Sequence, residues 1–460
     1  LLLDFANNEV LDPRVSYTRN DSAKTYVDRL GKILTAGPNQ WPREFDPLTG
    51  KCLGRSVWES RTNIFWHSED FANAAWIKSR ATVTNEAVVN PRRNTSERLV
   101  WDGNAGVAYV YQARSVTSGQ AYTVSFLVKA GEANEVYVGF YNTNSAFTQG
   151  GTLFNLVTGA VVTTSGGVVN HPVQDFGNGW LRFSVTTTAT ANAVGNVSIG
   201  LSSTLQTLNQ GIYLATAQME AGATPSPYIP TGAASVTRNA DSAVITGTNF
   251  SDWYRQDEGT FLVFARHAVT GARILLDAND GSGNSRISIL SSANTANRLD
   301  ARVIAGGVQT WAGDVGYTDG VVAAAIAYKA NDTRLQSGVN SITDNTVTTP
   351  SSVSLLEIGK LGSGNHWNGH FECIAYFSKR LSNTEVAGAV TSGLLAGKNP
   401  NQLPTVGDLG SAAFVQLRAL LAMRFSRVRA TEIAATVGQV ASFIFGFLGL
   451  LTGNVLLIFV

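Results

Sequence analysis

Short runs in which apolar and polar residues alternate, each bounded by Gly or Asn, recur along most of this chain. Residues 122–128 and 135–140 are two such runs, and 181–185, 260–265 and 286–290 follow the same pattern. Alternation places every second side chain on one face of a strand, so each run predicts a β-strand with one buried face. Many short strands joined by tight turns pack as two antiparallel sheets face to face. The chain is therefore predicted to be mostly β.

Length and proline content divide the predicted strands between two domains. A chain of 460 residues is too long for a single hydrophobic core. Pro225, Pro227 and Pro230 form a rigid connector. We therefore predict a jelly-roll-like antiparallel β-sandwich at 61–230 and a second sandwich at 235–395.

The segments outside the two sandwiches have a different character. Residues 1–60 contain four prolines and little alternation, which predicts an extended N-terminal arm with short strands. Residues 382–385, Ser-Asn-Thr-Glu, have the spacing of a capping box and predict the start of a short helix. Residues 396–410 are predicted to be a linker, and 411–460 a separate tail.

Charge and cysteine content limit the partners and the chemistry. Lys and Arg number 34 against 33 Asp and Glu, a formal net charge of +1. A nucleic-acid surface needs a basic face that displaces counterions from phosphates, so no nucleic-acid partner is expected. Cys52 and Cys373 lie in different predicted segments, so two free thiols are expected rather than a disulfide framework.

A series of motifs in fixed order resembles a known family. Residues 59–64 read Glu-Ser-Arg-Thr-Asn-Ile, and Ser-Glu-Asp-Phe comes next at 68–71 with Ala-Trp at 75–76. Ala-Gln-Met-Glu-Ala-Gly at 217–222 and Tyr-Ile-Pro-Thr at 228–231 come later. This order resembles that of the modular tail-fibre and minor structural proteins of bacteriophage virions. In that family, the first motifs would mark the start of a carbohydrate-binding-module-like sandwich and the last two would mark its end.

The resemblance covers roughly residues 1–395. Phrases at 11–19 and 45–50 are similar to the family's lead-in, and residues 236–261 resemble the start of a concanavalin-like or laminin-G-like domain. Thr-Arg-Asn-Asp-Ser-Ala at 18–23 is echoed at 237–243, which suggests two related linkers.

This resemblance implies a component of a virus particle rather than an enzyme. Expected partners are other virion proteins, further copies of the chain, with a trimer favoured, and a host-surface polysaccharide. The protein would be made in the host cytoplasm and reach the virion by assembly. No cofactor is implied.

The tail changes character abruptly. Residues 433–460 carry no charge over 28 positions, more than the roughly 20 apolar residues that cross a bilayer. A basic amphipathic helix is predicted before them. Two environments stay open: a membrane, or the interior of a homo-oligomer, where the last residues would equally suit a buried strand. The residues predicted to make the oligomer or membrane contact are Phe443, Phe445, Phe447, Leu448 and Leu451.

Two groups of residues in the second sandwich are candidates for ligand binding. Asn365, His366 and Trp367 combine a ring face with hydrogen-bonding groups, as sugar sites do. A second group consists of Asp277, Asn279 and Asp280, whose oxygens are candidate calcium ligands. The spacing of that second group favours the alternative of a hairpin turn of the Asn-Asp-Gly type over a calcium site.

Signals for catalysis are few. The neighbouring carboxylates Glu69-Asp70 and Asp257-Glu258 would face opposite sides of a strand. No nucleophile elbow, phosphate-binding loop or metalloprotease motif occurs in the sequence. The predicted function is therefore a glycan-binding fibre, spike or decoration protein without catalytic residues. A purely architectural cement protein and a polysaccharide depolymerase are the alternatives, and the depolymerase would need a carboxylate pair in a groove.

Overall fold

Antiparallel β-sheets dominate the structure, which confirms the predicted fold class. The described residues of this computed structural model are 1–202, 208–267, 271–292, 297–317 and 320–391.

The predicted linker and tail, 396–410 and 411–460, lie outside the described residues, and so do Phe443, Phe445, Phe447, Leu448 and Leu451. Within the part that is described, no helix combines the length and apolar character that a membrane crossing requires.

Short strands succeed one another along the chain. The N-terminal strands are β1 Leu2–Asp4, β2 Ser16–Thr18, β3 Thr25–Val27, β4 Ile33–Thr35, β5 Glu44–Phe45, β6 Cys52–Val57 and β7 Arg61–Asn63. The next are β8 Ile77–Ser79, β9 Ala81–Glu86, β10 Ser96–Trp101, β11 Tyr109–Val116, β12 Ala121–Ala130, β13 Glu135–Tyr141, β14 Gly150–Asn155, β15 Val161–Ser165, β16 Val169–Asn170, β17 Gln174–Asp175, β18 Trp180–Thr188, β19 Ala193–Leu201 and β20 Gly211–Ala221.

The remaining strands and the helices complete the described chain. The strands are β21 Val236–Arg238, β22 Ser242–Thr246, β23 Glu258–His267, β24 Ile274–Asn279, β25 Arg286–Ser291, β26 Arg298–Ala305, β27 Val308–Gly316, β28 Val322–Lys329, β29 Thr333–Ser337, β30 Asn340–Asp344, β31 Leu355–Ile358 and β32 Gly369–Phe377. The helices are α1 Thr248–Ser251 and α2 Asn383–Thr391, with a 3₁₀ turn at Thr143–Ser145. Ser382 and Glu385 exchange backbone-to-side-chain hydrogen bonds of 2.8 and 3.2 Å, so the predicted capping box is confirmed.

The first sandwich consists of two antiparallel sheets from residues 77–221. Sheet 1 has the order β16-β18-β12-β20-β10-β9, with β17 also on β18, and sheet 2 has the order β15-β14-β13-β19-β11-β8. Phe71, Trp76 and Trp180 are buried, with Phe71 and Trp76 in ring contact at 4.8 Å. Residues of the motifs at 68–76 thus build the core of this sandwich, and Trp180 is a buried residue of β18.

The second sandwich includes the N-terminal arm. Sheet 3 has the order β30-β29-β28-β23-β32-β6-β5, and β1 also pairs with β32, while sheet 4 has the order β2-β22-β31-β24-β25-β26-β27. Leu3 lies opposite Ile374, and Tyr17 opposite Ala243. The predicted arm at 1–60 is therefore not a separate unit, because β1, β5 and β6 join sheet 3 and β2 joins sheet 4. Strands β3 and β4 pair with each other as a two-stranded hairpin. The first sandwich is an insertion within the second.

The chain enters and leaves the inserted sandwich at one place. β7 pairs with β21, so Asn63 lies opposite Val236. The Asn63 amide donates to the carbonyls of Ala217 and Ile229 at 3.0 and 2.8 Å, while its oxygen accepts from Met219 N at 3.0 Å. The motif at 59–64 is therefore the joint between the two sandwiches, and its asparagine links β7 to two other segments, β20 and the one that contains Ile229.

A buried carboxylate, Asp241, holds the arm against this joint. Lys24 Nζ lies 3.0 Å from its Oδ2, and Arg19 Nε lies 3.7 Å from its Oδ1. Tyr17 donates a hydrogen bond to Oδ1, and Arg238 Nη1 lies 4.0 Å from Oδ2. Arg19 and Arg238 come from the two echoed segments, which meet at this carboxylate. A buried charge is stable only when paired in this way.

Glu44 forms a second buried contact of the arm. Its Oε2 lies 3.1 Å from His370 Nε2, its Oε1 lies 4.0 Å from Lys24 Nζ, and the hydroxyl of Ser56 donates to it. Burial opposes ionisation of Glu44, but the interactions with His370, Lys24 and Ser56 outweigh it and lower the pKa to about 2.

We expect this carboxylate to make stability depend on pH in the acid range. Its folded-state pKa lies below the ordinary value of 4.5, so its contribution is complete above pH 4.5 and is lost as pH falls towards 2. At about 1.4 kcal/mol per pKa unit, the contribution is a few kcal/mol. Urea unfolding of Glu44→Gln should therefore show a flatter loss of stability across this interval than the wild type. Glu9→Gln, at an 84 % exposed side chain, is the control. Parallel curves for Glu44→Gln and wild type would contradict the assignment.

Candidate functional site

Four tyrosines share the outer face of sheet 2, opposite the core of the first sandwich. Tyr109 and Tyr111 come from β11, and Tyr137 and Tyr141 from β13. Val110, Val136, Val138 and Phe140, which alternate with them, are buried in the core. Strand β19 runs between β11 and β13, and both Tyr109 and Tyr137 lie opposite its Gly200. We call these four tyrosines the tyrosine platform.

Glycines provide the space in which these rings lie on the sheet. A Cβ at Gly139 would lie 2.6 Å from the Tyr137 ring, and one at Gly151 would lie 2.6 Å from its Cζ. A Cβ at Gly200 would lie 2.5 Å from Tyr109 Cβ. Any other residue at these positions would displace the rings, so the sequence maintains a flat aromatic surface here.

The platform combines ring faces with hydrogen-bonding groups. Tyr109 and Tyr141 stack at 5.6 Å and 26°, and Tyr111 is 5.9 Å from Tyr109. All four tyrosines are half-buried. Ser198 lies between β11 and β13, with its buried Oγ beside the Tyr141 hydroxyl. Burial raises the pKa of Tyr137 and Tyr141, so both phenols stay protonated at neutral pH.

Such a surface suits a flat ligand with both apolar and hydroxyl groups. Ring faces offer dispersion contact, while the phenols can donate and accept hydrogen bonds. Asn196, opposite Tyr141, adds an amide on the same face. No charged side chain is among the four tyrosines, Ser198 and Asn196.

The predicted glycan residues 365–367 lie elsewhere and are mostly buried. Trp367 is 0 % exposed, donates its indole N–H to Arg266 O at 3.0 Å and contacts Phe371. His366 is 3 % exposed, with Nε2 3.1 Å from Asp241 O. Only Asn365 is exposed. A fully buried indole presents no face to a sugar, so the predicted stacking role of Trp367 is wrong.

The predicted calcium ligands also have other partners. Asp277 forms an ion pair with Arg286, so its carboxylate is already paired with a cationic side chain. Asn279 donates to Glu357 Oε2 at 3.1 Å. Asp280 accepts backbone N–H groups of its own turn at 2.9 and 2.8 Å, which is the hairpin-turn role that the spacing favoured. The described ranges contain no group of three or more His, Cys, Asp and Glu side chains arranged to hold a metal ion.

Asp277 and Glu357 are two carboxylates that lie close to each other, so they can be compared with the carboxylate pair in a groove that a depolymerase would require. Asp277 and Glu357 are cross-strand neighbours on β24 and β31. Burial raises the pKa of Asp277 to about 7, Arg286 opposes this shift and Glu357 adds to it. Asp277 is 0 % and Glu357 7 % exposed, so neither carboxylate faces a groove open to a polysaccharide.

Sequence reasoning missed the platform although its signal was present. Tyrosines two residues apart at 109 and 111, and four apart at 137 and 141, lie on the same face of a strand. Nothing in either strand shows that β19 brings β11 and β13 together. The predicted sugar-binding aromatics were in loops, whereas this group lies on strands.

Comparisons with known proteins show limited similarity. The chain is similar to Ruminococcus gnavus IT-sialidase CBM40 bound to α2,3 sialyllactose, at 13 % identity and TM-score 0.26, over 30 % of this chain and 83 % of that one. It is also similar to the CBM22-1 xylan-binding domain of Paenibacillus barcinonensis Xyn10C, at 10 % identity and TM-score 0.23, over 35 % of this chain and 92 % of that one. Similarity to the mouse laminin α1 LG4-5 domains is 10 % in identity and 0.21 in TM-score, over 69 % of this chain and 88 % of that one.

At these TM-scores the similarities carry no argument about ligand or function. No protein-family model matches the chain, and no curated protein matches it either. A function for the chain therefore rests on the geometry of the described residues and on the sequence motifs.

Proposed function

We propose that this chain is a bacteriophage virion structural protein of the fibre, spike or decoration type that binds host-surface glycans. The tyrosine platform is the observation that supports glycan binding, because it offers stacked ring faces together with phenol hydroxyls. The virion role is supported by the ordered motifs at 59–76 and 217–231. Other virion proteins and further copies of the chain, a trimer being favoured, are the proposed assembly partners.

Replacing Tyr109 with alanine should weaken binding of host polysaccharide by more than about 1 kcal/mol, roughly fivefold. Tyr109 contacts both Tyr111 and Tyr141, so its loss removes the centre of the platform. Binding is measured by adsorption to purified host polysaccharide, with thermal unfolding as a check of the fold.

Tyr213→Ala is the matched control, since Tyr213 lies in β20 of sheet 1, the other sheet of the same sandwich. It should leave adsorption unchanged. Equal adsorption by folded Tyr109→Ala and wild type would reject the platform as the glycan site. Immunogold labelling of intact particles tests the virion role, and labelling absent from every purified particle would reject it.

A purely architectural role has one structural feature in its favour. Strand β15 is an edge strand, exposed along its whole length, and pairs only with β14. Val161 and Val162 are 45 % and 50 % exposed, and Val157 nearby is 73 % exposed. An apolar edge with unpaired backbone groups is suited to pairing with another chain. Loss of particle assembly in Val161→Lys, with adsorption intact, would favour this role for the edge.

A further inference from the structure

A cleft separates the arm from the outer face of sheet 1. Its walls are the β3–β4 hairpin, strands β12, β18 and β20, and the segment around Tyr228. The cleft has a volume of about 210 Å³. A water molecule occupies about 30 Å³ in the liquid, so this space is far larger than a hydration site. None of the four platform tyrosines lines it.

One polar group in the wall lacks a partner. Trp58 lines the cleft and is 6 % exposed, and its buried indole N–H has no hydrogen-bond partner within the described parts of the chain. An indole nitrogen can only donate. A buried donor without an acceptor costs about 1–3 kcal/mol, so a ligand acceptor at this position would recover that loss.

The other polar groups in the wall are held in place by the fold. Glu44 Oε2 and His370 Nε2 are 3.1 Å apart. Arg182 donates to Ser226 O at 2.8 Å, which fixes its guanidinium while leaving other N–H groups of the fork for a ligand. The rest of the wall is largely apolar and includes Phe176.

We infer that this cleft binds one neutral hexopyranose ring, the terminal residue of a glycan, with a ring hydroxyl or ring oxygen accepting from the Trp58 indole. The cleft has room for one such ring. The apolar wall suits the C–H face of a sugar, and Glu44 and Arg182 offer an acceptor and a donor to its hydroxyls. The opposite charges of these two groups give no preference for an ionic ligand. This inference rests on the proposed function for its ligand class, but on different residues.

Fluorine NMR of the complete chain labelled with 5-fluorotryptophan tests the inference. The nine tryptophans give nine signals, and the Trp58 signal is the one absent from Trp58→Phe. D-glucose, D-galactose and D-mannose are each titrated through the millimolar range. We expect the Trp58 signal to shift saturably with at least one of them, in the wild type and equally in Tyr141→Ala, which alters only the platform.

A blocking variant gives the converse result. Gln174 lies at the cleft wall in the short edge strand β17. Gln174→Trp should therefore fill the cleft and lower the affinity for the hexose at least tenfold. A Trp58 signal that no hexose moves in the wild type would overturn the inference. If Tyr109→Ala still impaired polysaccharide adsorption, the proposed function would stand without it. An unchanged titration in folded Gln174→Trp would also overturn it, because the hexose would then bind elsewhere.

Discussion

Replacing Asp241 with alanine is expected to lower the free energy of unfolding by about 3–5 kcal/mol, the range for breaking a buried ion pair. The substitution leaves Lys24 and Arg19, both with fully buried side chains, without their shared carboxylate. The backbone N–H of Trp58 also loses its acceptor at 2.9 Å. These groups all come from residues 1–60, so one side chain of the second sandwich holds the arm in place.

Urea unfolding measures this effect, and two further variants show its cause. Asp241→Asn keeps the shape and an acceptor but removes the charge, so we expect it to be destabilised nearly as much as alanine. Asp257→Ala removes an exposed carboxylate paired with Arg255 and should change little. Wild-type stability in Asp241→Asn would show that the charge contributes nothing at this position.

Trp367→Ala should lower the free energy of unfolding by about 3–5 kcal/mol while leaving polysaccharide affinity unchanged. The indole is fully buried in the core of the second sandwich, and its removal leaves a cavity and an unpaired Arg266 carbonyl. Trp66→Ala is the matched control, because Trp66 is 41 % exposed and its main described ring contact is Arg114 at 4.1 Å. Trp66→Ala should lower the free energy of unfolding by less than about 1 kcal/mol. A folded Trp367→Ala variant of normal stability and reduced affinity would restore the predicted sugar contact.

The backbone around Trp367 explains why its burial was hard to predict. Asn365 and Asn368 both adopt left-handed conformations, with φ of 51° and 55°. These two turns direct His366 and Trp367 inwards, and the side chain of Asn368 accepts from Glu59 N at 2.8 Å. A segment of Gly, Asn, His and Trp has the composition of an exposed loop, and only the distant partners show that it is buried.

Strand content was predictable, whereas strand partnership was not. Alternation along 122–128 and 260–265 depends on near neighbours, so it predicted β12 and β23 correctly. The insertion depends on β1 pairing with β32 and β2 with β22, and no local pattern specifies a partner several hundred residues away. The tyrosine platform has the same origin, since it exists only because β19 separates β11 from β13.

The pairing of β1 with β32 also sets an order of events during synthesis. Strand β1 has no partner until the segment around Ile374, about 370 residues after Leu3, has been synthesised. At about 5–20 residues per second, the ribosome takes roughly 20–75 s to supply it. The inserted sandwich is complete well before then, whereas the arm leaves the exit tunnel with Leu3 and Phe5 still uncovered. A nascent-chain holdase that binds short apolar segments would therefore find a target around Leu3 and Phe5, and chains released before residue 377 would keep that segment exposed.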